Sequence, residues 1–257
     1  MCALRYEVGY ITHPGNQRPV NQDSLLIRRG SVDDREFLLL AVADGMGGMD
    51  QGEEASGLAT RRLDQWWTEQ LPSLVSPKLR WEAVEDSLRV VVESVNWTLY
   101  SMAQEGNRCG TTLTLLFLYQ GAYRVFQVGD SRAYLLRKGK LRQLTRDQTY
   151  CRREIEAGRM TEAEAAEHPM RHVLVSTLGV TSEYTLEVTA GELPSGGAIL
   201  LCSDGFYQEL PPDWPGPARE KLAVQPLLEE AASLILQGTA EDNLTALLVR
   251  MTRSWRR

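Results

Sequence analysis

The run Phe37-Leu38-Leu39-Leu40-Ala41-Val42-Ala43 ends on Asp44, and Gly45-Met46-Gly47-Gly48 follows at once. Such an unbroken apolar stretch reads as a buried strand, and a chain that contains one must build layers around it. The glycines then free the backbone to take positive φ and to come close to a ligand. A strand-end carboxylate beside bare backbone suits a hard cation, which takes both carboxylate and carbonyl oxygen. Taken alone, Asp-Gly after a strand also describes an ordinary turn, so the rest of the chain has to decide.

The 257 residues are 43% apolar and 24% charged, enough to bury a real core, and they are expected to form a single domain spanning 1–257. With 28 Lys and Arg against 34 Asp and Glu, the net charge of −6 argues against nucleic acid or an acidic membrane as partner. Cys2, Cys109, Cys151 and Cys202 show no CxxC spacing and read as reduced thiols. The opening Met-Cys-Ala-Leu-Arg-Tyr-Glu does not resemble a secretion signal, and no apolar run reaches membrane-spanning length. The expected location is the cytoplasm.

Residues 4–11, 23–28 and 36–43 pattern as strands, the first two separated by the turn-forming His13-Pro14-Gly15-Asn16-Gln17-Arg18-Pro19. A helix is expected over 51–71, stopped by Pro72, and a second from an N-cap at Ser76 with Pro77 in its first turn to Gly106. Strands at 111–119, 122–128, 132–137 and 141–144 read as an antiparallel meander. Residues 146–172 are charged and poor in large apolar groups, with helical pieces at 149–157 and 161–167, the latter opened by a Thr161-Glu162-Ala163-Glu164 capping box. A polar excursion between core strands suggests a surface subdomain or lid. Strands follow at 184–188 and 198–202, a proline-rich loop at 211–217, a helix at 218–237 and a closing strand at 244–251. Paired helices and runs of strands point to α+β layers around antiparallel sheets.

Three places repeat the geometry of Asp44. Asp130 follows one apolar strand, Asp204 follows another, and Asp242 precedes the last, while Asp23 begins the second strand. If the sheet edges align, these five aspartates share one rim, which carboxylates do not do without cations. The absence of His and Cys among them disfavours zinc and favours Mg2+ or Mn2+. Each aspartate alone reads equally well as a turn or cap residue.

The ordered set Arg18-Pro19-Val20-Asn21-Gln22-Asp23, Ala43-Asp44-Gly45-Met46-Gly47-Gly48, Gly110-Thr111-Thr112, Val128-Gly129-Asp130-Ser131-Arg132-Ala133-Tyr134, Leu201-Cys202-Ser203-Asp204-Gly205 and Asp242-Asn243-Leu244-Thr245 resembles the PP2C (PPM) family of metal-dependent protein serine/threonine phosphatases, of the compact bacterial kind, over residues 5–251. The resemblance implies a four-layer α-β-β-α sandwich of two antiparallel sheets flanked by helix pairs. It implies two Mg2+ or Mn2+ ions bridged by Asp44, with Asp204 and Asp242 completing the first and the Gly45 carbonyl serving the second. Asp23 would act on the second ion through water, and Asp130 with Asp204 would form a weaker third site. Arg18 would clamp the phosphate, and 146–172 would be the variable flap. The implied reaction is in-line attack of water on phosphorus in phosphoserine or phosphothreonine. The implied partners are a phosphorylated protein and its opposing serine/threonine kinase, with the enzyme working as a monomer.

This chain departs from the family pattern where proton donors are expected. Met46 and Met49 stand where relatives carry histidines, and neither donates a proton. Asp147-Gln148 stands in place of an Asp-His pair, and Gln22 replaces a Glu ligand. A general acid would then come from water or from His168 or His172 in the flap, which also read as surface residues. The alternatives are a catalytically weak phosphoprotein-binding module on the same fold and a phosphatase of small metabolites.

Overall fold

The apolar run forms the centre of β3 (Arg35–Gly47), and every residue from Phe37 to Ala43 is buried. Its continuity has a physical cause, because each face of the strand meets a different core. Leu38, Leu40 and Val42 point into a layer between two sheets, with Tyr6, Leu116, Leu201 and Leu247. Leu39, Ala41 and Ala43 point outward against helices, with Leu63, Trp66, Leu88 and Phe117.

This computed structural model describes residues 2–47, 51–75, 78–106, 109–216 and 221–255. One sheet runs β2 (Asp23–Val32), β3, β5 (Leu113–Tyr119), β6 (Ala122–Val128) and β9 (Glu187–Glu192), with the short β4 (Cys109–Thr111) on the glycine end of β3. The other runs β1 (Cys2–His13), β11 (Leu244–Trp255), β10 (Ala198–Cys202), β7 (Arg132–Arg137) and β8 (Lys140–Gln143). All these pairings are antiparallel.

Helices α1 (Gln51–Glu69), α2 (Leu71–Val75) and α3 (Trp81–Gln104) bury their apolar stripes on the outer face of the first sheet. On the outer face of the second lies α7 (Val224–Leu236), joined by Phe206 of α6 (Asp204–Tyr207) and by Trp214. The fold is therefore α+β, two antiparallel sheets stacked face to face with helices outside. α4 (Tyr150–Glu156) and α5 (Glu162–Glu167) fall between β8 and β9, capped by Thr149 and by the Thr161–Glu164 capping box.

Several boundaries differ from the sequence pattern. Pro72 does not stop α1, which has already ended at Glu69; it occupies the first turn of α2, where a missing N–H costs nothing. α3 starts at Trp81 after Arg80, whose side chain makes no capping hydrogen bond; Ser76 and Pro77 lie outside the described residues. β9 sits later than 184–188, and α7 begins at Val224; residues 218–220 of the helix expected from 218 lie outside the described residues. The larger correction is topological. β6 and β7 are not hairpin partners, because Gly129-Asp130-Ser131 carries the chain from one sheet to the other. Among the described residues no helix is long and apolar enough to cross a membrane. Cys109, Cys151 and Cys202 are buried free thiols.

Candidate metal centre

Antiparallel strand order brings the aspartates together. β3 and β10 end at one rim while β2, β7 and β11 begin there, so Asp23 stands opposite Asp44 in register. Asp130 precedes β7, Asp204 follows β10 and Asp242 precedes β11. The crossing between sheets at Gly129-Asp130-Ser131 adds the last carboxylate from a place where a hairpin would have turned it away.

Short polar side chains tie the two sheets at this rim. Ser203 Oγ donates to Asp23 Oδ2 at 2.8 Å and accepts from the Thr245 N–H at 3.0 Å. The Asp44 N–H donates to Thr112 Oγ1 at 3.1 Å, and Thr112 Oγ1 is 2.8 Å from Ser131 Oγ. The Asp44 carbonyl accepts from the Thr112 N–H and Thr111 Oγ1. Gly45 has to be glycine, since a Cβ there would lie 2.1 Å from the Gly52 carbonyl oxygen in the first turn of α1. Gln22 packs its side chain over Gly52, and its carbonyl accepts from the Gly45 N–H at 3.2 Å.

The electrostatics show the convergence directly. Burial pushes Asp23 up to about 7, against hydrogen bonds from Thr245 and Ser203, with Asp204 and Asp242 adding repulsion. Burial also carries Asp130 to about 8, helped by Asp204 and Asp147 and opposed by Arg132. Asp44 is raised well above the ordinary carboxylate range by burial and then by the charges of Asp23, Asp204, Asp130 and Asp242. Its surface is only partly covered, but protein surrounds it on most sides, and that surrounding governs its titration. Asp204 is raised by burial and by Asp242, and held back by a hydrogen bond with Asp44. Asp23 Oδ1 is buried and has no hydrogen-bond partner.

Arg18 reaches the same rim from the loop after β1. Its Nη2 donates to Asp242 Oδ2 at 2.9 Å, with both side chains substantially exposed. Asn243 holds that loop, donating from Nδ2 to the carbonyls of Pro14 and Val20 and accepting from the Gln22 N–H. With Asp242 engaged by Arg18 and Asp23 by Ser203, no three His, Cys, Asp or Glu side chains among the described residues form a ready-made metal-ligand set as they stand. The rim is a convergence of carboxylates rather than a closed cage.

Beside Asp130 a cleft of about 460 Å³ opens between the rim and α4–α5, lined by Arg132, Asp147, Tyr207 and His172 among others. Arg132 lies 3.7 Å over the Tyr207 ring and forks onto Asp147 at 2.8 and 2.5 Å. Gln148, in the position expected for a histidine, is structural: its Oε1 accepts from the Gly129 N–H at 2.8 Å and so holds the Asp130 turn. His168 Nδ1 accepts from the Met170 N–H, which makes it a turn residue, whereas His172 is exposed at the cleft and its charge favours ionised Asp204. Met46 lines a separate cavity of about 630 Å³ with Cys109 and Val180; Met49 lies outside the described residues. Ser203, Thr112, Ser131 and Asn243 stand inside the quoted motifs, but the sequence assigns them no role of their own; each is a small hydrogen-bonding residue beside a motif aspartate or glycine.

The model of the family described as protein phosphatase 2C matches residues 13–249. The chain belongs to the protein phosphatase 2C family. The serine/threonine phosphatase stp of Listeria monocytogenes is 32% identical to it over 218 residues, covering 82% of this chain and 83% of that protein. The solved serine/threonine phosphatase of S. agalactiae superposes with a TM-score of 0.85 at 25% identity, covering 96% of this chain and 99% of the other. The catalytic domain of the serine/threonine protein phosphatase PstP, solved with two manganese ions, gives 0.77 at 29% identity, covering 98% and 100%. This protein is a serine/threonine phosphatase of the 2C type, with its aspartate rim at the edge of the paired sheets.

Proposed function

We propose that the phosphatase hydrolyses phosphoserine and phosphothreonine in proteins with Mg2+ or Mn2+ held at the aspartate rim. The observation that carries this is Asp23 Oδ1, buried without a partner at a rim where burial and neighbouring carboxylates raise the proton affinity of Asp23, Asp44, Asp130 and Asp204. A hard cation satisfies such an oxygen and relieves the repulsion. Asp44, Asp204 and Asp242 would hold one ion; Asp44 and the Gly45 carbonyl a second, on which Asp23 would act through water; Asp130 with Asp204 a weaker third. When bound, paired divalent ions supply the positive charge that readies water and neutralises phosphoryl oxygens.

The chain's own groups do the rest. Arg18, on a loop pinned by Asn243, presents a planar fork suited to two phosphate oxygens and sets the orientation of the phosphoryl group. In exchanging Asp242 for phosphate it trades one anion for another. His172 lines the cleft beside Asp130, where a proton donor to a leaving alkoxide would have to stand. Residues 146–172 act as the flap that selects the peptide around the phosphorylated residue. The opposing partner is the kinase that modifies the same protein, and the phosphatase acts as a monomer.

With Mn2+, purified protein is expected to hydrolyse p-nitrophenyl phosphate and a phosphothreonine peptide. Asp44→Asn and Asp204→Asn are each expected to slow both reactions by about 10²–10³-fold, the scale of losing one strong electrostatic group at a transition state. Unchanged rates in these variants would discard the mechanism.

A further inference from the structure

Asp204 and Asp242 come from opposite ends of different strands, and something has to fix their separation. Glu209 lies just beyond α6, which Asp204 opens. Its carboxylate reaches the loop that leads to Asp242: Oε2 accepts from Thr239 Oγ1 at 3.1 Å and from the Ala240 N–H at 3.0 Å, and Oε1 accepts from the Glu241 N–H at 3.0 Å. The loop needs this restraint, since Ala240 is a non-glycine residue at φ 40°.

From the other side the Asn16 N–H donates to the Ala240 carbonyl at 2.8 Å, on the loop that carries Arg18. Gly205 closes the remaining gap, because a Cβ there would lie 2.3 Å from the Asn243 carbonyl oxygen and 3.1 Å from the Asp242 Cβ. The segments bearing Asp204 and Asp242 thus meet on bare backbone at one point and through a three-bond carboxylate brace at another.

We infer that Glu209 is a positioning residue that sets the spacing of Asp204 and Asp242, and thereby the affinity of the rim for a divalent cation. The inference rests on the proposed role of those two aspartates as ligands. Glu209 reaches neither of them with its side chain; it acts through the backbone of 239–241. Hydrogen bonds to an ionised carboxylate are the strong kind, and groups standing behind metal ligands commonly tune affinity by 10–100-fold.

Isothermal titration of the metal-free protein with Mn2+ tests this. Glu209→Ala is expected to raise the Mn2+ dissociation constant about tenfold or more, with kcat recovered at saturating Mn2+. Glu209→Gln, which keeps one acceptor oxygen, should fall between it and wild type, and it serves as the working variant if the alanine form folds poorly. A lowered melting temperature with wild-type Mn2+ affinity in Glu209→Gln and Glu209→Ala would make Glu209 a plain stabilising residue and overturn the inference. Asp242→Asn separates the two levels. If it loses Mn2+ binding while the Glu209 variants do not, only the brace falls; if it too binds as wild type, the ligand assignment falls and the brace with it.

Discussion

The aspartate rim and the 146–172 excursion are equally rich in polar groups, yet they are held in opposite ways. Apart from the exposed Arg18–Asp242 pair, the rim contacts are short, wholly or partly buried and made by small side chains: Ser203 on Asp23, Thr112 on Ser131, Thr111 on the Asp44 carbonyl. Around α4 and α5 the contacts are long side chains meeting at the surface, with Arg152 on Glu162, Arg159 on Glu154 and Arg146 on Glu156. Removing a buried partner strands another polar atom, whereas surface ion pairs are screened and individually weak. The difference separates two regions: the buried part of the rim is held by contacts that are costly to break, and the excursion is lightly tethered.

The sharpest break between the regions should come from deleting residues 149–166. The expected loss is about tenfold or more in kcat/KM on a phosphothreonine peptide, roughly 1.4 kcal/mol of transition-state binding, with p-nitrophenyl phosphate turnover nearly unchanged. Equal losses on both substrates would mean that the excursion supports the rim after all.

A second break concerns the seam between the two sheets. Tyr6, whose Oη accepts from the Gly121 N–H at 2.8 Å, is raised by burial to about 12. Its phenol stays neutral in the folded protein after the unfolded chain has ionised, so its contribution is full below pH ~10 and lost as pH climbs to ~12, roughly 2–3 kcal/mol in all. Thermal melts across that window should fall in wild type and flatten in Tyr6→Phe; parallel curves would contradict the burial argument.

Ser203→Ala should cost about 1–3 kcal/mol, because it removes the partner of both Asp23 Oδ2 and the Thr245 N–H. Denaturant titration measures it, and a loss below a few tenths would show that the rim tolerates slack. The smallest effect belongs to salt. Raising ionic strength should speed amide exchange in α4 and α5 first, since exposed pairs such as Arg152–Glu162 contribute less than about 1 kcal/mol each. Faster exchange at β3 under the same change would erase the contrast.

The strand-end aspartates, the capping box at Thr161 and the strand Ala198–Cys202 were legible in the sequence because each is written locally, in an apolar run with its punctuation. The step from β6 to β7 was not, since Gly129-Asp130-Ser131 has the composition of a hairpin turn and nothing in it says that the next strand joins the other sheet. Glu209 carried no signal, and Ser203, although it stands in a quoted motif, carried none for its contacts, for a related reason. Their partners lie tens to hundreds of residues away, and a single carboxylate or hydroxyl carries no mark of what it will meet. Arg18 was found as a candidate, but its pairing with Asp242 depends on loops brought together only by the completed fold.

β11 lies between β1 and β10, so an interior strand of one sheet is made after every other strand of both sheets. The sheet from β2 to β9 is complete once residue 192 is available, whereas β1 waits for a neighbour more than two hundred positions downstream. Asp242 arrives with that same late strand. A nascent chain therefore carries the complete first sheet and four of the rim's five aspartates, Asp23, Asp44, Asp130 and Asp204, before the fifth is made.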